Sequence, residues 1–431
     1  MPIKQLGFKS RGALLCAVAL FVLAFAARLT FIAANGPVLT PDSRDYILLA
    51  QNLRANATFS LDPGAGQTPT IRRAPLYPVL LMPFLTTGSI WTLGVVIFQS
   101  ALDSLVTLLV LQLALWVVSL RLSFVAGLAY ALHPGAIYFC STVLSESLFT
   151  ALLVGGVFGL IWAFRHDSLK SSAGSGVLLG LATLCRPIAL PLSLLFAGVA
   201  ALIFRTPHRR FLHSAVVIAC TALILLPWTM RCTVLSDRLV LVQGGSSVIF
   251  YAATRTDWNQ KDQETLWLRF STENPYGQQL LAAKTPREMA AADALGTRLA
   301  FQNIRSNPTG YVVSRLRNFP FLFITSFDIF TGFNKSFGVL YWENKWLALV
   351  IKSLLLLVFS LAPLLLALVG LLGDWRNPAV AFSSIVWIYT ALANLPMWIE
   401  YRYWIAAVPF MLVSAAVGTQ VLCVKFRLVK S

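Results

Sequence analysis

Ten long apolar stretches dominate the hydrophobic pattern of the chain. Most are near the ~20 residues that a helix needs to cross a bilayer. The predicted spans cover residues 12–34, 90–118, 122–139, 143–164, 173–186, 188–204, 212–231, 346–372, 378–398 and 403–424. A membrane β-barrel would instead alternate polar and apolar residues. The pattern therefore predicts an all-α polytopic membrane protein of about ten transmembrane helices.

The composition supports a membrane protein. Hydrophobic residues make up 57% of the 431 residues and charged residues only 12%, whereas soluble domains carry roughly 25% charged residues. The first span follows Lys4, Lys9 and Arg11 and contains Arg28. Because it is longer than the apolar part of a signal peptide and more spans follow, we interpret it as a retained anchor.

The basic residues that flank the spans predict the orientation of the chain. With ten spans, the segments "RHDSLK", "RTPHRR", "GDWRN" and "KFRLVK" all lie on the same side as the N-terminus. Basic loops stay in the cytoplasm, so this side is predicted to be cytoplasmic. The net charge of +17 is explained by these flanks and does not indicate nucleic-acid binding. We expect a multi-pass protein of the bacterial inner membrane.

Two long loops are then predicted on the outer side, and they divide the chain. Residues 1–231 form an N-terminal transmembrane module whose first outer loop, 35–90, carries the candidate catalytic site. Residues 232–345 form a mostly helical extracytoplasmic region, and residues 346–431 form the C-terminal transmembrane helices.

The second loop contains a clear helix signal. Thr285 and Glu288 form a capping box around Pro286, which predicts a helix over 286–306. The following "GYVVSRLRNFPFLFITSF" reads as an amphipathic segment at the membrane surface. An eleventh span is the alternative, but it would place the basic C-terminal tail on the outer side.

The six cysteines show neither metal-ligand spacing nor a disulfide framework. A bridge between Cys140 and Cys232 on the outer side is one alternative. Buried free cysteines are the interpretation that the sequence favours.

Asp42 lies where the first span ends, in the stretch "GPVLTPDSRDYILLAQNL". A helix starting at "PDS" places Asp42, Tyr46 and Ala50 on one face. A structural alternative is that Asp42 only caps this helix, since Asp is a favoured N-cap. Asp45, three residues on, is expected to face another side.

Further charged and tyrosine side chains lie near the outer ends of the spans. Acids can take a proton from a hydroxyl group, and guanidinium groups match phosphate geometry; snorkelling at the interface is the alternative for the arginines. The residues predicted to bind substrate are Asp45, Tyr46, Arg72, Arg73, Tyr77, Glu146, Arg186, Arg231, Glu400 and Arg402. Together with Asp42 they suggest group transfer from a phosphate-linked lipid to an acceptor outside the cytoplasm.

These stretches, in order, resemble the GT-C superfamily of membrane glycosyltransferases. The resemblance is to bacterial relatives of protein O-mannosyltransferases and of aminoarabinose transferase. The stretches that carry it are "PDSRDYILLAQNL", "RRAPLYPVLL", "HPGAIYFCSTVLSESLF", "GLATLCRPIALPL", "PWTMRCTVLSD", "GGSSVIF" and "EYRYWIAAVPF".

The resemblance implies the GT-C fold and an inverting transfer from a polyprenyl-phosphate sugar, such as an undecaprenyl-phosphate sugar. The acceptor would be a cell-envelope glycan, lipid or protein. Asp42 occupies the place of the family's base. Ser43 stands where mannosyltransferases of this group often carry Glu, which disfavours a protein-mannosylating role. The more loosely implied roles are donor or loop positioning for Arg73 and the cavity wall for Glu146 and Arg186.

The sequence requires no cofactor. Some members of the superfamily use a divalent cation and others do not, and no His, Cys or carboxylate cluster here demands one. A transporter or flippase of lipid-linked sugars is the alternative function, but it would favour charged or broken helices near mid-membrane, and Asp103 is the only acid predicted well inside a span. A non-catalytic envelope scaffold would need no converging acids and arginines.

Overall fold

The chain folds into a bundle of apolar helices with a helical region inserted before the last helices. The structure is a computed structural model, and it describes residues 11–64, 67–204, 206–255, 270, 274–324 and 337–426. The described helices are α1 (Arg11–Asn35), α2 (Pro41–Asn56), α3 (Leu76–Leu81), α4 (Thr92–Leu115), α5 (Leu120–Ala131), α6 (Pro134–Ser141), α7 (Glu146–His166), α8 (Leu169–Cys185), α9 (Leu192–Ile203), α10 (Pro207–Ser236), α11 (Ser247–Thr254), α12 (Pro275–Ala282), α13 (Pro286–Ser306), α14 (Pro308–Asn318), α15 (Phe321–Ile324), α16 (Phe337–Trp342), α17 (Trp346–Leu356), α18 (Ala362–Asp374), α19 (Pro378–Asn394) and α20 (Val408–Lys425).

Short elements connect these helices. Single 3₁₀ turns occur at Met82–Phe84, Pro187–Ala189, Tyr401–Tyr403 and Ile405–Ala407, and a π-helical turn at Leu357–Leu361 joins α17 to α18. The strands β1 (Leu85–Thr86) and β2 (Ser89–Ile90) pair antiparallel in a small hairpin.

The predicted spans correspond to helices of the structure. By length and composition, six helices of the described chain can cross a membrane: Arg11–Asn35, Thr92–Leu115, Glu146–His166, His208–Ser236, Trp346–Asp374 and Ile405–Lys425. A seventh candidate is the pair α5 and α6, bent by 44°. Three shorter apolar helices, Leu169–Cys185, Pro187–Ile203 and Pro378–Asn394, match the remaining predicted spans. The prediction of an all-α polytopic membrane fold is confirmed.

The region between α10 and α16 contains the predicted helix with its predicted boundaries. Thr285 and Glu288 form both capping-box hydrogen bonds at the start of α13, which ends at Ser306. The next segment is not one continuous span, because α14 ends at Asn318 and the four-residue α15 begins only after Pro320. Residues 325–327 of the predicted amphipathic segment lie outside the described residues.

Asp103, the one acid predicted inside a span, is paired with the arginine of the first span. Arg28 Nη2 lies 2.5 Å from Asp103 Oδ2, and both residues are buried. Arg28 also donates to the backbone carbonyls of Ala24 and Ala131, and the Tyr130 hydroxyl donates to Asp103. The pair therefore ties α1, α4 and α5 together, and a buried charge is tolerated only with such partners.

Helices α18 and α20 approach so closely that glycine is needed where they cross. A Cβ at Gly370 would lie 2.0 Å from the Ser414 carbonyl oxygen, and one at Gly418 would lie 1.8 Å from that of Leu366. Small residues at such crossings allow the backbones of membrane helices to pack directly. This contact fixes α20, the helix that follows Arg402.

Candidate active site

The start of α2 orients Asp42 without using it as a cap. Thr40 is the N-cap, its side chain accepts from the Ser43 N–H, and the Ser43 hydroxyl accepts from the Thr40 N–H. Pro41 occupies the first turn. The structural alternative in which Asp42 caps the helix is therefore wrong. Ser43 has a structural task in this capping box and is buried.

Arg73 joins the two carboxylates of α2. Its Nη2 donates to Asp42 Oδ1 at 2.6 Å and to Asp45 Oδ2 at 2.7 Å, and its Nε donates to Asp45 at 3.1 Å. The expectation that Asp45 faces another side is wrong, because side chains three residues apart are neighbours on a helix surface and one guanidinium reaches both.

Arg402 approaches Asp42 from the opposite end of the chain. Its Nη1 donates to Asp42 Oδ2 at 2.7 Å, and its Nε lies 2.5 Å from Glu400 Oε2. A continuous row of ion pairs therefore runs from Glu400 through Arg402, Asp42 and Arg73 to Asp45. We call these five residues the ionic row.

Glu146 and Arg186 form a second ion pair beside the row. Arg186 Nη1 lies 2.5 Å from Glu146 Oε1. Glu146 is buried at the start of α7, and its Oε2 accepts no hydrogen bond from the described residues. An unpaired buried carboxylate oxygen is costly, so it marks a place where a ligand hydroxyl or amine fits.

A cavity of about 390 Å³ brings these groups together. Six predicted site residues line it: Asp42, Tyr46, Arg73, Glu146, Arg186 and Arg402. Apolar side chains form other parts of the wall, including Ile188, Ile249 and Met397. One cavity therefore combines charged groups with an apolar surface, as a ligand with a charged head and an apolar tail requires.

Two tyrosine side chains pack next to the charged residues of the cavity. The Arg73 guanidinium lies 5.5 Å from the ring centroid of Tyr46, and the Tyr46 and Tyr77 rings meet edge to face at 5.0 Å. Tyr77 is buried below the cavity wall, where its hydroxyl donates to Gln99 at 2.6 Å. Tyr77 therefore positions Tyr46 and does not itself line the cavity.

Five predicted residues do not line the cavity, and several lining residues were not predicted. Asp45 and Glu400 only pair with arginines that line it, and Tyr77 contacts the lining residue Tyr46. Arg72 and Arg231 do not line the cavity. The unpredicted polar lining residues are Thr150, Gln243, Ser246, Tyr389, Asn394 and Tyr403. Gln243 accepts a hydrogen bond from the Ala74 N–H at 3.0 Å and so fixes the residue next to Arg73. Its position beside "GGSSVIF" was the one sequence signal that pointed to it.

The arginines determine the charge state of Asp42. Burial by itself would raise the pKa of the Asp42 carboxyl, but the charges and hydrogen bonds of Arg73 and Arg402 outweigh burial and lower this pKa well below its usual range. Burial opposes the charged forms of both arginines, yet the surrounding carboxylates raise their pKa values. Burial also raises the pKa of Tyr46. Asp42 is therefore an anion stabilised by two permanent cations.

The described residues contain neither a cluster of metal-ligating side chains nor a disulfide bond. Among the residues that the structure describes, no group of three His, Cys, Asp or Glu side chains is placed to hold a metal ion. Arg73 and Arg402 place positive charge next to Asp42. All six cysteines are free, so Cys140 and Cys232 are not bridged.

Neither a protein-family model nor a curated protein matches the sequence. Solved structures do match the fold. The apo oligosaccharyltransferase of Archaeoglobus fulgidus is 14% identical, with a TM-score of 0.57, over 98% of this chain and 52% of its own. AglB from the same organism, solved with an inhibitory peptide and a dolichol-phosphate, is 14% identical, with a TM-score of 0.54, over 98% of this chain and 51% of its own.

ArnT from Cupriavidus metallidurans, solved with undecaprenyl phosphate, is 12% identical, with a TM-score of 0.41, over 95% of this chain and 77% of its own. The chain spans about half the length of the archaeal oligosaccharyltransferase that it matches. At these identities the likeness concerns the fold alone: the chain has the fold of part of the archaeal oligosaccharyltransferase, which is a GT-C glycosyltransferase.

Proposed function

We propose that this protein is a membrane glycosyltransferase that moves a sugar from a polyprenyl-phosphate donor to an acceptor outside the cytoplasm, with inversion at the anomeric carbon. The observation that carries the proposal is Asp42 held between Arg73 and Arg402 in a cavity whose wall contains both charged and apolar side chains. The fold supports it, since the similar AglB was solved with a dolichol-phosphate.

The donor phosphate is assigned to the arginine side of the cavity. Arg73, Arg186 and Arg402 all line it, and guanidinium binds phosphate oxygens in a bidentate manner. The first isoprene units of the lipid would pack on the apolar wall formed by Ile188, Ile249 and Met397. Glu146 Oε2 would accept a hydrogen bond from the sugar.

Asp42 is assigned as the general base. The acceptor O–H bond breaks and its proton passes to Asp42, while the acceptor oxygen forms a bond to the anomeric carbon. The bond from that carbon to the phosphate oxygen breaks, and its electron pair leaves with the polyprenyl phosphate. Attack and departure on opposite faces invert the configuration. A base positioned in this way contributes on the order of 100- to 10,000-fold in rate.

Donor binding must also change the environment of Asp42. Each of the three arginines that line the cavity is paired with a carboxylate in the described structure, and a carboxylate with a strongly lowered pKa is a weak base. A phosphate group competes with Asp42 for Arg73 and Arg402. As the arginines turn toward the phosphate, the pKa of Asp42 rises and the carboxylate becomes a better proton acceptor.

Asp45 and Glu400 fit a supporting task in this scheme. Each pairs with an arginine of the ionic row beside its contact with Asp42, so that the arginine keeps a carboxylate partner when its contact with Asp42 loosens. These two acids are therefore proposed as positioning residues for Arg73 and Arg402.

The proposed location is the bacterial inner membrane, with the cavity on the extracytoplasmic side. The basic flanks of the spans support this orientation. Residues 1–231 and 346–431 would form the membrane part that encloses the donor, and residues 232–345 would cover it on the outer side. The acceptor is proposed to be a glycan, lipid or protein of the cell envelope.

The test is whether the purified protein consumes a donor. Proteoliposomes receive synthetic undecaprenyl-phosphate sugars together with an envelope extract as the acceptor source, and mass spectrometry follows undecaprenyl phosphate. We expect its release with one sugar, accompanied by a new glycosylated species. A flippase would move the donor between leaflets and leave it intact, so donor movement without cleavage would replace the transferase assignment by the transport alternative.

A further inference from the structure

A second, apolar groove lies in the described chain apart from the candidate active site, and in the proposed orientation it is on the outer side of the membrane. It has a volume of about 750 Å³ and runs between the end of α2, the segment before α3 and the last turns of α10. We call it the outer groove. Its lining residues are Leu53, Ala57, Thr58, Phe59, Pro69, Pro75, Val79, Trp228, Met230, Arg231, Val234 and Leu235. None of them lines the candidate active-site cavity.

The open side of the outer groove continues into a lipid-facing helix surface. Met230 is 58% exposed and Val234 is 73% exposed, and Leu223 and Leu226 further down α10 are exposed as well. Since α10 is long and apolar enough to cross the membrane, Met230, Leu226 and Leu223 would face acyl chains there. An acyl chain can therefore enter the groove sideways from the bilayer.

Arg231 is the one charged residue of the described groove lining, and its side chain is held in place. Its guanidinium lies 4.5 Å from the ring centroid of Trp228 and 5.5 Å from that of Phe59. Its Nη1 donates to the Thr70 carbonyl at 3.2 Å. Both distances are within the range of cation–π contacts, so the two rings hold the Arg231 guanidinium in place. A snorkelling arginine would extend into water instead.

Helix geometry places Arg231 at the depth of lipid phosphates. Arg210 and Arg231 are both in α10, and 21 residues at about 1.5 Å per residue separate them by roughly 32 Å. The hydrocarbon core of a bilayer is roughly 30 Å thick. With Arg210 at one membrane surface, Arg231 therefore lies at the level of the opposite headgroups.

We propose that the outer groove binds an anionic phospholipid of the outer leaflet. The phosphate would bind Arg231, because guanidinium matches phosphate oxygens. One acyl chain would lie along Trp228 and Met230 and continue down α10 past Leu226 and Leu223. The apolar walls and the single cation at headgroup depth select an amphiphile with one negative charge over a neutral lipid or a soluble anion.

The bound lipid would support the segment that carries Arg73. Pro69 and Pro75 line the outer groove, whereas Arg73 between them lines the active-site cavity. The segment is also held by the contact of Arg231 with the Thr70 carbonyl and by that of Gln243 with the Ala74 N–H. The lipid therefore fills the space behind the wall on which Arg73 stands.

Trp228 provides a direct readout, because it lines the groove. The full-length protein is placed in nanodiscs of phosphatidylcholine, and phosphatidylglycerol with brominated acyl chains is titrated in; bromine quenches nearby tryptophan. The chain has 12 tryptophans, and all of them contribute to the fluorescence. The quenching of Trp228 is therefore obtained by subtracting the fluorescence of the Trp228→Phe variant from that of the wild type. Brominated phosphatidylcholine serves as the neutral probe. We expect Trp228 to be quenched at lower mole fractions of the anionic lipid.

Two arginine variants decide whether charge is recognised at this place. Arg231→Gln is expected to weaken the anionic preference by about tenfold, the size of one lost charge-assisted contact. Arg238→Gln, the matched control, removes the same charge from an exposed position seven residues along and should retain the preference. Arg231→Lys keeps the charge and provides a second variant with less disturbance of packing.

The wild-type protein alone can overturn the proposal. Equal quenching of Trp228 by both brominated lipids, or no quenching by either, would show that the groove does not select an anionic phospholipid. If the Arg231→Gln variant still prefers the anionic lipid as strongly as the wild type does, Arg231 does not recognise the phosphate. None of these results depends on glycosyl transfer, so a failure here is separate from a failure of the proposed function.

Discussion

Arg402 Nη1 donates to Asp42 Oδ2 at 2.7 Å, although 360 positions separate the two residues in the chain. This contact joins the start of α2 to the turn that precedes α20. The candidate site is therefore closed by groups from both ends of the chain. Its chemistry depends on the packing of α20 as much as on the sequence around Asp42.

Asp42→Asn should abolish transfer from the polyprenyl-phosphate donor. Asparagine keeps the shape of the side chain but cannot accept the proton, so kcat should fall on the order of 100- to 10,000-fold. Turnover is measured with the purified variant and the donor identified in the proteoliposome assay. Asp45→Asn is the matched control, because it also removes a carboxylate from Arg73 but leaves the base. If Asp42→Asn stays near wild-type turnover, Asp42 is structural; a collapse in Asp45→Asn alone would assign the base to that residue.

The pH dependence should report the competition between the donor phosphate and Asp42. In the free protein the pKa of Asp42 lies below its usual range. Its ionised form therefore stabilises the fold above the ordinary Asp pKa of about 3.9, and this contribution is lost as the pH falls through the lower folded value. We expect no acid limb in kcat/KM above about pH 4.

The fall in kcat at low pH should occur at a higher pH than the fall in kcat/KM. The reason is that kcat reports the donor-bound protein, in which the arginines have turned from Asp42 toward the phosphate. The measurement is a pair of pH–rate profiles from the same preparation. Coinciding limbs would mean that donor binding leaves the arginines on Asp42.

Lysine should replace Arg73 or Arg186 poorly. Lysine keeps the charge but lacks the bidentate fork that matches phosphate, so the KM for the donor should rise about tenfold while the protein remains folded. Steady-state kinetics over a range of donor concentrations measure the change. Arg44→Lys, on the exposed side of α2, is the control and should behave as wild type. Unchanged KM values in both test variants would make these arginines structural.

Breaking the ion pair of Arg28 and Asp103 should destabilise the membrane part without touching the cavity. Arg28→Met leaves Asp103 buried with an unpaired charge, which typically costs about 3–5 kcal/mol. The double variant Arg28→Met with Asp103→Asn should recover much of this loss. Thermal unfolding in detergent measures both. If the single variant melts at the wild-type temperature, the pair is not a structural link.

The proposed orientation places Asn56 outside the cell and Lys170 in the cytoplasm. Both positions are exposed, so a cysteine at either accepts a maleimide once the reagent reaches it. A membrane-impermeant maleimide should label Asn56→Cys in intact cells. It should label Lys170→Cys only after the cells have been permeabilised. The wild-type protein gives the background of the six native cysteines. Labelling of Lys170→Cys in intact cells would invert the orientation.

The sequence by itself determined the membrane fold and the helix boundaries that depend on local signals. Burying a helix in a bilayer requires a long apolar run, so the runs were visible directly. The helix from Pro286 to Ser306 was predictable because a capping box satisfies its first N–H groups locally. The outer-end acids and arginines also stood out, since charge is rare in a chain of this composition.

Only the tertiary structure decided which of these charges meet. Asp45 joins Asp42 on Arg73 because of how the segment before α3 folds back, and Arg231 lies in another groove because α10 continues beyond it to Ser236. Which side chains become partners depends on how helices from distant parts of the chain pack together. A linear pattern records the residue types at a membrane surface, whereas the direction and distance between their side chains depend on how the helices pack.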